Sequence, residues 1–299
     1  MRGYRIFAMY VIILRGDSDT TLSVQDHDGE SALSDAENQR HYRTLFLSDF
    51  HLGTKGCQAG LLLDFLKIYD ADTIYLVGDV VDGWRLRRGW YWPQTHNDVI
   101  QKLLRKGRKG ARLIYIPGNH DEFLRDYVGM TFGAVDIVQN AIHETVDGKR
   151  FLVMHGDEFD VVVRHAKWLA LLGDWAYVLA LGINTYLNWG RRKLGLTYWS
   201  LSSWAKMKVK NAVNFIGEFE QALTSEAKRV GADGIICGHI HHAGEKMMGN
   251  ITYINCGDWV ESCTAVVEHF DGRLEIIRYA ADVRAAALAT EPQGTPVAA

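Results

Sequence analysis

The sequence predicts an α/β fold built on a mixed β-sheet. Short apolar runs rich in β-branched residues alternate with segments of helical periodicity, which is the pattern of strands and helices that pack in layers. The last part of the chain instead carries three strand-like segments in succession, ITYINCGDWV, SCTAVVEHF and GRLEIIRYA, which indicate hairpins. Because hairpin strands run antiparallel, a mixed sheet is favoured over a purely parallel one.

The predicted elements follow one another along the chain. TLFLSDFHL is typical of a strand that runs into a loop, AGLLLDFLKIYD has helical spacing, and TIYLVGDVVD predicts a buried strand. DVIQKLLRKGRKG predicts an amphipathic helix that ends in glycine, and RLIYIPGNHD predicts another strand with its loop. GKRFLVMHGDEFD and ADGIICGHIHHA repeat the strand-to-loop scheme before the terminal hairpins.

The composition favours a globular protein that does not bind nucleic acid. Of the 299 residues, 47% are hydrophobic, which is enough to bury a substantial core in one large domain or two small ones. The formal net charge of −3 provides no general basic surface for nucleic acid. The four cysteines lie in or beside apolar runs without CxxC spacing, which favours reduced thiols over a disulfide between Cys256 and Cys263.

Both ends of the chain are predicted to be disordered, over residues 1–40 and 283–299. The early run IFAMYVIIL is far shorter than the roughly 20 residues that span a bilayer, and RGDSDT after it is a poor cleavage site for a signal peptide. The residues that follow are rich in Asp, Ser, Gln and Glu, and Met9 is an alternative start. The tail AAALATEPQGTPVAA is of low complexity.

Five short polar clusters each end an apolar run, in the order SDFH, GDVVD, GNHD, HGD and GHIH. In open α/β sheets the carboxyl ends of strands meet at the ligand site, so these side chains can converge. Carboxylate, amide and imidazole ligands suit divalent Mn, Fe or Zn. Seven candidates exceed one four-coordinate ion and fit two ions that share a carboxylate, as in phosphoryl hydrolysis: Asp49, His51, Asp79, Asn119, His155, His239 and His241.

Other residues of the clusters are predicted to support these ligands. Asp79 follows a glycine and is the candidate bridge, while Asp82 is expected to orient a ligand. His120 and Asp121 have the pattern of an imidazole poised by a carboxylate, and Asp157 is expected to be structural. Each cluster alone also fits ordinary turn chemistry, but five of them after strands make that explanation improbable.

Residues 161–212 break the alternation and are predicted to form a helical insertion over the site. They hold five of the nine tryptophans and eight Lys or Arg against a single acid, Asp174. An apolar subdomain explains the tryptophans, whereas the charge excess suits an anionic, amphiphilic partner such as a lipid headgroup or membrane surface. In the segment WRLRRGWYWP, arginines can pair with phosphate or simply be solvated. The candidate substrate-binding residues are Arg85, Trp189, Arg191, Arg192 and Lys193.

The order of the clusters resembles that of the calcineurin-like metallophosphoesterases. The resemblance covers about residues 43–160 and 213–280, and it implies a two-sheet α/β sandwich, with the helical insertion capping the site. SDFHLG near the start, the HGDEFD box and the insertion are most similar to the UDP-2,3-diacylglucosamine diphosphatase group, in which the insertion holds acyl chains. That group carries GNRD where this chain has GNHD, the pattern of the general phosphoesterases.

The resemblance also implies roles for individual residues. It implies two divalent ions bridged by Asp79, with Mn favoured over Fe or Zn. His120 is implied as the acid or as a stabiliser of transition-state charge, supported by Asp121. The implied ligands are Asp49, His51 and His241 for one ion, and Asn119, His155 and His239 for the other.

The function implied is hydrolysis of a phosphoester or pyrophosphate. The expected substrate is UDP-2,3-diacylglucosamine or a similar nucleotide-linked lipid, which would give UMP and an acylated sugar phosphate. A soluble phosphatase or phosphodiesterase of broader specificity and a non-catalytic membrane-associated scaffold are the alternatives. The insertion favours the lipid substrate, and the complete ligand set disfavours the scaffold. The expected location is cytoplasmic, with peripheral attachment to the cytosolic face of the inner membrane.

Overall fold

The structure, a computed structural model, describes residues 39–159 and 219–290. The predicted insertion, residues 161–212, and nearly all of the predicted N-terminal lead lie outside these ranges. Their assignment as separate regions therefore stays a prediction.

Twelve strands and five helices form the described part of the chain. The strands are β1 (Arg40–Leu47), β2 (Tyr69–Val77), β3 (Arg112–Ile116), β4 (Thr131–Phe132), β5 (Val135–Ile137), β6 (Ala141–Glu144), β7 (Arg150–Val153), β8 (Gly234–Cys237), β9 (Gly244–Met248), β10 (Ile251–Asn255), β11 (Thr264–Glu268) and β12 (Leu274–Arg278). The helices are α1 (Ala59–Ile68), α2 (Gly83–Arg88), α3 (Gln94–Arg108), α4 (described over 219–229) and α5 (Tyr279–Thr290). Short 3-10 turns span Glu122–Tyr127 and Asp157–Phe159.

The strands form two mixed sheets. The first has seven strands in the order β12-β11-β1-β2-β3-β5-β4, and the second has five in the order β6-β7-β8-β10-β9. In the first sheet β1, β2, β3 and β5 are parallel, whereas β11, β12 and β4 are antiparallel to their neighbours. In the second, β7, β8 and β10 are parallel between two antiparallel edge strands. The predicted mixed sheet is thus confirmed. Of the three terminal strands predicted to form hairpins, β11 and β12 pair with each other, whereas β10 belongs to the other sheet and pairs with β8 and β9.

The two sheets pack face to face and carry helices on their outer faces, which confirms the α/β sandwich. Phe46 faces the second sheet, while its neighbours Leu45 and Leu47 face the opposite way, as the alternation of a strand requires. On the outer face of the first sheet lie residues of α1, α3 and α5, and α4 covers the second sheet with Phe219 and Leu223. The parallel strand ends therefore lie between two buried layers, which holds their loops in place.

Two differences from the sequence predictions concern short or alanine-rich segments. Strands β4, β5, β6 and β9 were not predicted, because they are short, lie at or next to a sheet edge, and have at most one buried residue each. The tail expected to be disordered from residue 283 is helical through Thr290. Alanine is the strongest helix former, and the helix begins at the buried Tyr279, which packs edge-on against Phe65.

The described part of the chain contains four free cysteines and no helix that is long and apolar enough to cross a membrane. Cys237, Cys256 and Cys263 are buried and Cys57 is half-buried, as the apolar runs around them predict. The disulfide between Cys256 and Cys263 that the sequence left open is not formed.

Glu268 on β11 links the two sheets through a buried carboxylate. It accepts hydrogen bonds from Nη1 of Arg43 at 2.6 Å, from the hydroxyl of Thr44 at 2.8 Å, and from Nε2 of His143 on β6 at 2.8 Å. Burial raises the pKa of this carboxyl, but the three donors outweigh burial and lower the pKa from 4.5 to about 2. The carboxylate is therefore more stable as an anion in the folded protein than in the unfolded chain.

We expect Glu268→Gln to lower the free energy of unfolding at pH 7 by about 1–3 kcal/mol, because it removes charge-assisted hydrogen bonds from buried donors. Since the folded pKa lies below the unfolded one, the contribution is complete above pH 4.5 and is lost as the pH falls towards 2. Urea titrations from pH 7 to pH 3 should show the difference between wild type and variant shrinking below pH 4.5. The exposed Glu261→Gln is the control, and a pH-independent difference would contradict the assignment.

Candidate metal centre

The five polar clusters lie together at the carboxyl ends of parallel strands. SDFH follows β1, GDVVD follows β2, and GNHD follows β3 in the first sheet. HGD follows β7 and GHIH follows β8 in the second sheet. Because both sheets present these ends on the same side, side chains from the two halves of the sandwich meet in one cluster.

The backbone at this cluster is strained. Among the described residues, six other than glycine have positive φ, and five of them are ligand-type residues: Asp49, His51, Asp79, His239 and His241. Such a conformation costs about 1–3 kcal/mol at each residue and persists only when the surroundings hold it. The strain thus coincides with the positions that were predicted to bind metal, as is typical of functional sites.

Hydrogen bonds between the loops hold this conformation. The amide of Asp49 donates to the carbonyl of Gly78 at 3.0 Å, and the amide of His51 donates to the carbonyl of Asp79 at 2.9 Å. The amide of His239 donates to Oδ2 of Asp49 at 2.9 Å, which joins the second sheet to the first. Each ligand loop is therefore supported by another.

One group of three side chains combines Asp49, His51 and His241. Nε2 of His241 lies 3.1 Å from Oδ1 of Asp49 and 3.2 Å from Nε2 of His51. Nδ1 of His51 contacts Asp82 at 3.3 Å, which directs Nε2 towards the other two groups. The three ligand atoms lie within 4.8 Å of one another, an arrangement that can hold a divalent ion.

A second group combines Asp79, His155 and His239. Nε2 of His155 lies 3.4 Å from Oδ2 of Asp79, and Nδ1 of His155 donates to the carbonyl of Val77 at 2.9 Å. That hydrogen bond fixes the tautomer whose Nε2 lone pair is available for a metal. Oδ2 of Asp79 also lies 3.9 Å from Nε2 of His51 in the first group, so this carboxylate stands between the two sites.

Buried acceptors without hydrogen bonds indicate that these groups are built for cations. Oδ1 of Asn119 and Nε2 of His155 are buried and have no hydrogen-bond donor, and the buried Oδ1 of Asp49 lies 3.1 Å from Nε2 of His241 without hydrogen-bond geometry. Leaving such atoms unsatisfied costs about 1–3 kcal/mol each, and a divalent ion would remove that cost. Oxygen and imidazole nitrogen donors together fit Mn, Fe or Zn. The residues present thus fit the divalent ions of a dinuclear site.

Glycines leave room for the ligands. A Cβ atom at Gly118 would lie 2.3 Å from Oδ1 of Asp79, and one at Gly238 would lie 2.5 Å from Oδ2 of Asp49. A Cβ atom at Gly78 would overlap the ring of His155 at 2.2 Å. Any larger residue at these positions would displace a ligand-type side chain, which explains the glycine that begins GDVVD, GNHD and GHIH.

His120 lies at the edge of the cluster, where its Nε2 is 3.9 Å from Oδ2 of Asp79. Its Nδ1 lies 3.0 Å from Oδ2 of Asp82, and the indole of Trp84 covers the ring at a centroid distance of 4.3 Å. Burial lowers the pKa of His120, but the contact with Asp82 and the charge of Asp79 raise it overall. The ring is therefore held with Nε2 towards the cluster and is suited to donate a proton.

Asp82, rather than Asp121, is the carboxylate that contacts His120, which corrects the sequence prediction. The Asp121 carboxylate is fully buried and accepts from the hydroxyl of Tyr115 at 2.5 Å, from the amide of Val80 at 2.8 Å, and from the amide of Gly118 at 2.6 Å. These bonds join the loops after β2 and β3. Asp121 thus fixes the loops that carry the ligand-type residues, and it is not the carboxylate that contacts the imidazole of His120.

A third group of potential ligands, His51, Asp82 and His120, shares His51 with the first group. Oδ2 of Asp82 contacts Nδ1 of both rings, at 3.3 and 3.0 Å. Asp82 also caps the N-terminus of α2, where its Oδ1 accepts a hydrogen bond from the amide of Arg85. One carboxylate therefore contacts two imidazole rings and the start of a helix. That Asp82 orients a ligand stays a prediction, and these contacts are the geometry that such a role requires.

Acid and imidazole groups in the cluster shift one another's pKa values. Burial raises the pKa of Asp79, but the imidazoles of His155, His120 and His51 outweigh burial and hold it below its ordinary value. Burial lowers the pKa of His155, but Asp79 and Asp49 raise it to about 10. The carboxylates therefore stay ionised, and protons compete with metal ions for the imidazole nitrogens.

Asp157 forms an ion pair with Arg125. Both of its carboxylate oxygens accept from Nη2 of Arg125 at 2.8 Å. We expect Asp157→Ala to keep its metal content and to lose about 1–3 kcal/mol of stability, because the half-buried guanidinium loses its partner. Metal analysis and urea denaturation of the variant would check this, and the loss of a metal equivalent would make Asp157 part of the centre.

A cleft of about 590 Å³ adjoins the cluster and contains the predicted substrate residue Arg85. His51 and His241 line the cleft, together with Arg88, one of the arginines of WRLRRGWYWP that were predicted to pair with phosphate or to be solvated. Lys55 and Tyr91 also line it, and the sequence did not single them out. A Lys soon after SDFH and an aromatic residue soon after the arginines were the available signals. The other predicted substrate residues, Trp189, Arg191, Arg192 and Lys193, lie outside the described residues.

The sequence matches the calcineurin-like phosphoesterase family over residues 42–243, which is more than half of the chain. The chain belongs to the calcineurin-like phosphoesterase family. The match includes all five polar clusters and the strands from β1 to β8, whereas β9 to β12 lie beyond it. Family membership and the convergent ligand-type residues together identify this domain as a metallophosphoesterase that uses divalent metal ions.

The chain is also similar to several proteins named UDP-2,3-diacylglucosamine hydrolase. It is 24% identical to that of Haemophilus influenzae, with 75% of this chain and 93% of the relative covered. It is 27% identical to that of Neisseria meningitidis serogroup B, with 72% and 88% covered. With the Porphyromonas gingivalis protein it shares 29% identity, but the match spans only 45% of that relative's length.

The structure is similar to those of other phosphoesterases. An archaeal phosphodiesterase aligns with 78% of this chain and 98% of its own, at 15% identity and a TM-score of 0.39. The phosphoesterase Yfce from E. coli aligns with 79% of this chain and 98% of its own, at 12% identity and a TM-score of 0.38.

Proposed function

We propose that the protein hydrolyses the pyrophosphate bond of UDP-2,3-diacylglucosamine or a similar nucleotide-linked lipid. The observation that carries this proposal is the basic cleft that adjoins the two groups of ligand-type residues. Exposed Lys55, Arg85 and Arg88 line it, and they favour a substrate with more anionic charge than a single ester. The names of the relatives support the same substrate, since several are UDP-2,3-diacylglucosamine hydrolases.

Asp49, His51 and His241 would hold one divalent ion, and His155, His239 and Asn119 the other, with Asp79 between them. Manganese is the expected metal. Ions held there would supply Lewis-acid stabilisation of phosphoryl charge and a nucleophilic water at neutral pH.

His120 supplies a proton from Nε2 to the leaving oxygen, or stabilises its negative charge. Oδ2 of Asp82 lies 3.0 Å from Nδ1 of the same ring and the indole of Trp84 packs on the ring, and these contacts favour the orientation with Nε2 towards the cluster. Arg85 is placed to bind a substrate phosphate, because its amide is anchored to Asp82 while its side chain lines the cleft.

The test is hydrolysis by the full-length protein with Mn²⁺ of two substrates, UDP-2,3-diacylglucosamine and the small diester bis-p-nitrophenyl phosphate. We expect release of UMP and a kcat/KM for the lipid well above that for the diester. A higher kcat/KM for the diester would favour the alternative, a phosphodiesterase of broader specificity. No turnover of either, with two metals bound, would favour a non-catalytic scaffold.

The lipid part of the substrate would be bound by residues 161–212. Their tryptophans would contact acyl chains, and Arg191, Arg192 and Lys193 would meet phosphate or anionic lipid at the cytosolic face of the membrane. Each basic residue near an anionic surface contributes about 1 kcal/mol and is screened by salt. Replacing these three residues with Ser should weaken binding to anionic vesicles at low salt while bis-p-nitrophenyl phosphate is still hydrolysed. Equal loss on the lipid and the diester would contradict this role.

A further inference from the structure

The cleft beside the metal-type cluster is formed by separate segments of the chain. The loop after β1 contributes Gly53 to Gly56, and α2 with the residues after it contributes Arg85, Arg88 and Tyr91. His51, Gly89, His241 and Val260 also line the cleft. Positive charge and an exposed aromatic ring therefore share one space with residues of the cluster.

Helix α2 begins next to the cluster and carries the two arginines of the cleft. Asp82, which contacts His51 and His120, caps the helix by accepting the amide of Arg85 at 2.8 Å. Arg85 and Arg88 follow at a spacing of three residues, so they share one side of the helix about 4.5 Å apart along its axis. Tyr91 comes three residues later, after the helix has ended at Arg88.

The ring of Tyr91 is held by a buried histidine. The rings of Tyr91 and His96 meet edge to face at a centroid distance of 5.7 Å. His96 is 2% exposed, and its Nδ1 accepts the amide of Gly53 at 3.0 Å, which ties the loop after β1 to α3. Tyr91 and the loop that carries Lys55 are thus anchored to the same side chain.

The ammonium group of Lys55 lies over the ring of Tyr91, at slightly less than the spacing that a planar ring between the two would need. Nζ of Lys55 lies 6.0 Å from the centroid of the Tyr91 ring. A flat aromatic group needs roughly 3.5 Å on each of its faces, and the exposed lysine stem can move by the small remaining distance. Such a pair combines a stacking surface with a positive charge above it.

We propose that this cleft binds the nucleoside monophosphate half of a pyrophosphate substrate, with phosphate on Arg85 and Arg88 and the base between Tyr91 and Lys55. Guanidinium groups match the geometry of phosphate oxygens, and base stacking on an aromatic ring tolerates different bases. The proposal rests on the proposed function, from which it takes that the substrate is a nucleotide pyrophosphate and that its scissile bond lies at the metal-type cluster. It makes the nucleotide, rather than the lipid, the part of the substrate that α2 recognises.

Calorimetric titration of the full-length Mn²⁺-loaded protein with UMP, inorganic phosphate and uridine tests the proposal. We expect UMP to bind more tightly than phosphate or uridine, because only UMP engages both parts of the cleft. Arg88→Ser should weaken UMP binding about 10-fold or more, and so should Tyr91→Ala. Tyr91→Phe should retain the affinity, since the stacking ring remains. Phosphate affinity should be insensitive to Tyr91→Ala.

Two neighbouring residues that do not line the cleft serve as matched controls. Arg87 is an exposed arginine of the same helix, and Trp90 is an exposed aromatic residue next to Tyr91. Arg87→Ser and Trp90→Ala should leave UMP affinity unchanged. Equal UMP affinity in the wild type and in both cleft variants would overturn the proposal, and so would equal weakening by Trp90→Ala.

The outcome separates this proposal from the proposed function. If UMP binds in an Arg88- and Tyr91-dependent way but UDP-2,3-diacylglucosamine is not cleaved, the cleft is a nucleotide site and the lipid substrate is wrong. If the lipid is cleaved and its KM is unchanged in Arg88→Ser and Tyr91→Ala, the proposed function stands and the cleft proposal fails.

Discussion

Asp79→Ala should abolish hydrolysis and lower the metal content by at least one equivalent. The carboxylate is 2% exposed, lies 3.4 Å from Nε2 of His155, and lies 3.9 Å from Nε2 of His51 in the other ligand group. A shared carboxylate links two cations and partly neutralises both, so its removal leaves them without the charge that keeps them close. Metal analysis of the purified variant gives the result directly, and two full equivalents would contradict the bridging role.

Asp79→Asn separates the loss of charge from the loss of shape. Oδ1 of Asp79 accepts the amide of His120 at 2.8 Å, and an asparagine in the same orientation preserves that hydrogen bond. We therefore expect Asp79→Asn to keep the unfolding midpoint closer to that of the wild type than Asp79→Ala does, while still losing metal. If Asp79→Asn binds both ions at full occupancy, the negative charge of Asp79 is dispensable.

His120→Ala should keep both metal ions and reduce kcat by about 10²–10⁴-fold, the range expected for the loss of a positioned general acid. Nε2 of His120 lies 3.9 Å from Oδ2 of Asp79, and Nδ1 lies 3.0 Å from Oδ2 of Asp82. Nε2 therefore faces the metal-type cluster, while the ligand-type residues of the two groups also contact one another without His120. Loss of a metal in the variant would make His120 a ligand, as its grouping with His51 and Asp82 allows. An unchanged rate would show that neither protonation nor charge stabilisation depends on it.

Two further variants connect His120 to its surroundings. Asp82→Asn should reduce activity by about 10–100-fold, the usual effect of removing a carboxylate that orients an imidazole. His120→Arg should retain activity on UDP-2,3-diacylglucosamine if the lipid substrate is correct, since the diphosphatase group that the chain resembles carries arginine there. Loss of that activity in His120→Arg, with both metals bound, would argue against the resemblance at this position.

The fold was largely predictable, because its main elements have long, regular patterns. The strands that lead into SDFH, GDVVD and GNHD are continuous apolar runs, and buried parallel strands have that composition. Edge strands such as β9 carry exposed residues at most positions, so no hydrophobic period marks them. Helix α5 was hidden by its alanines, which look like low complexity but form helix once Tyr279 packs against the core.

The sequence by itself determined which residue types end each strand and therefore where the candidate ligands lie. That information is local, since an apolar run that stops at Asp, Asn or His places the side chain at a sheet edge. Only the tertiary structure decided which carboxylate meets His120, because contact depends on the directions of loops that are distant in sequence. Asp121, although adjacent, turns inward to Tyr115, whereas Asp82 reaches His120 from the preceding loop. The sequence likewise flagged the arginines of WRLRRGWYWP but not the cleft that they share with Lys55 and Tyr91, because four separate segments must fold together before that cleft exists.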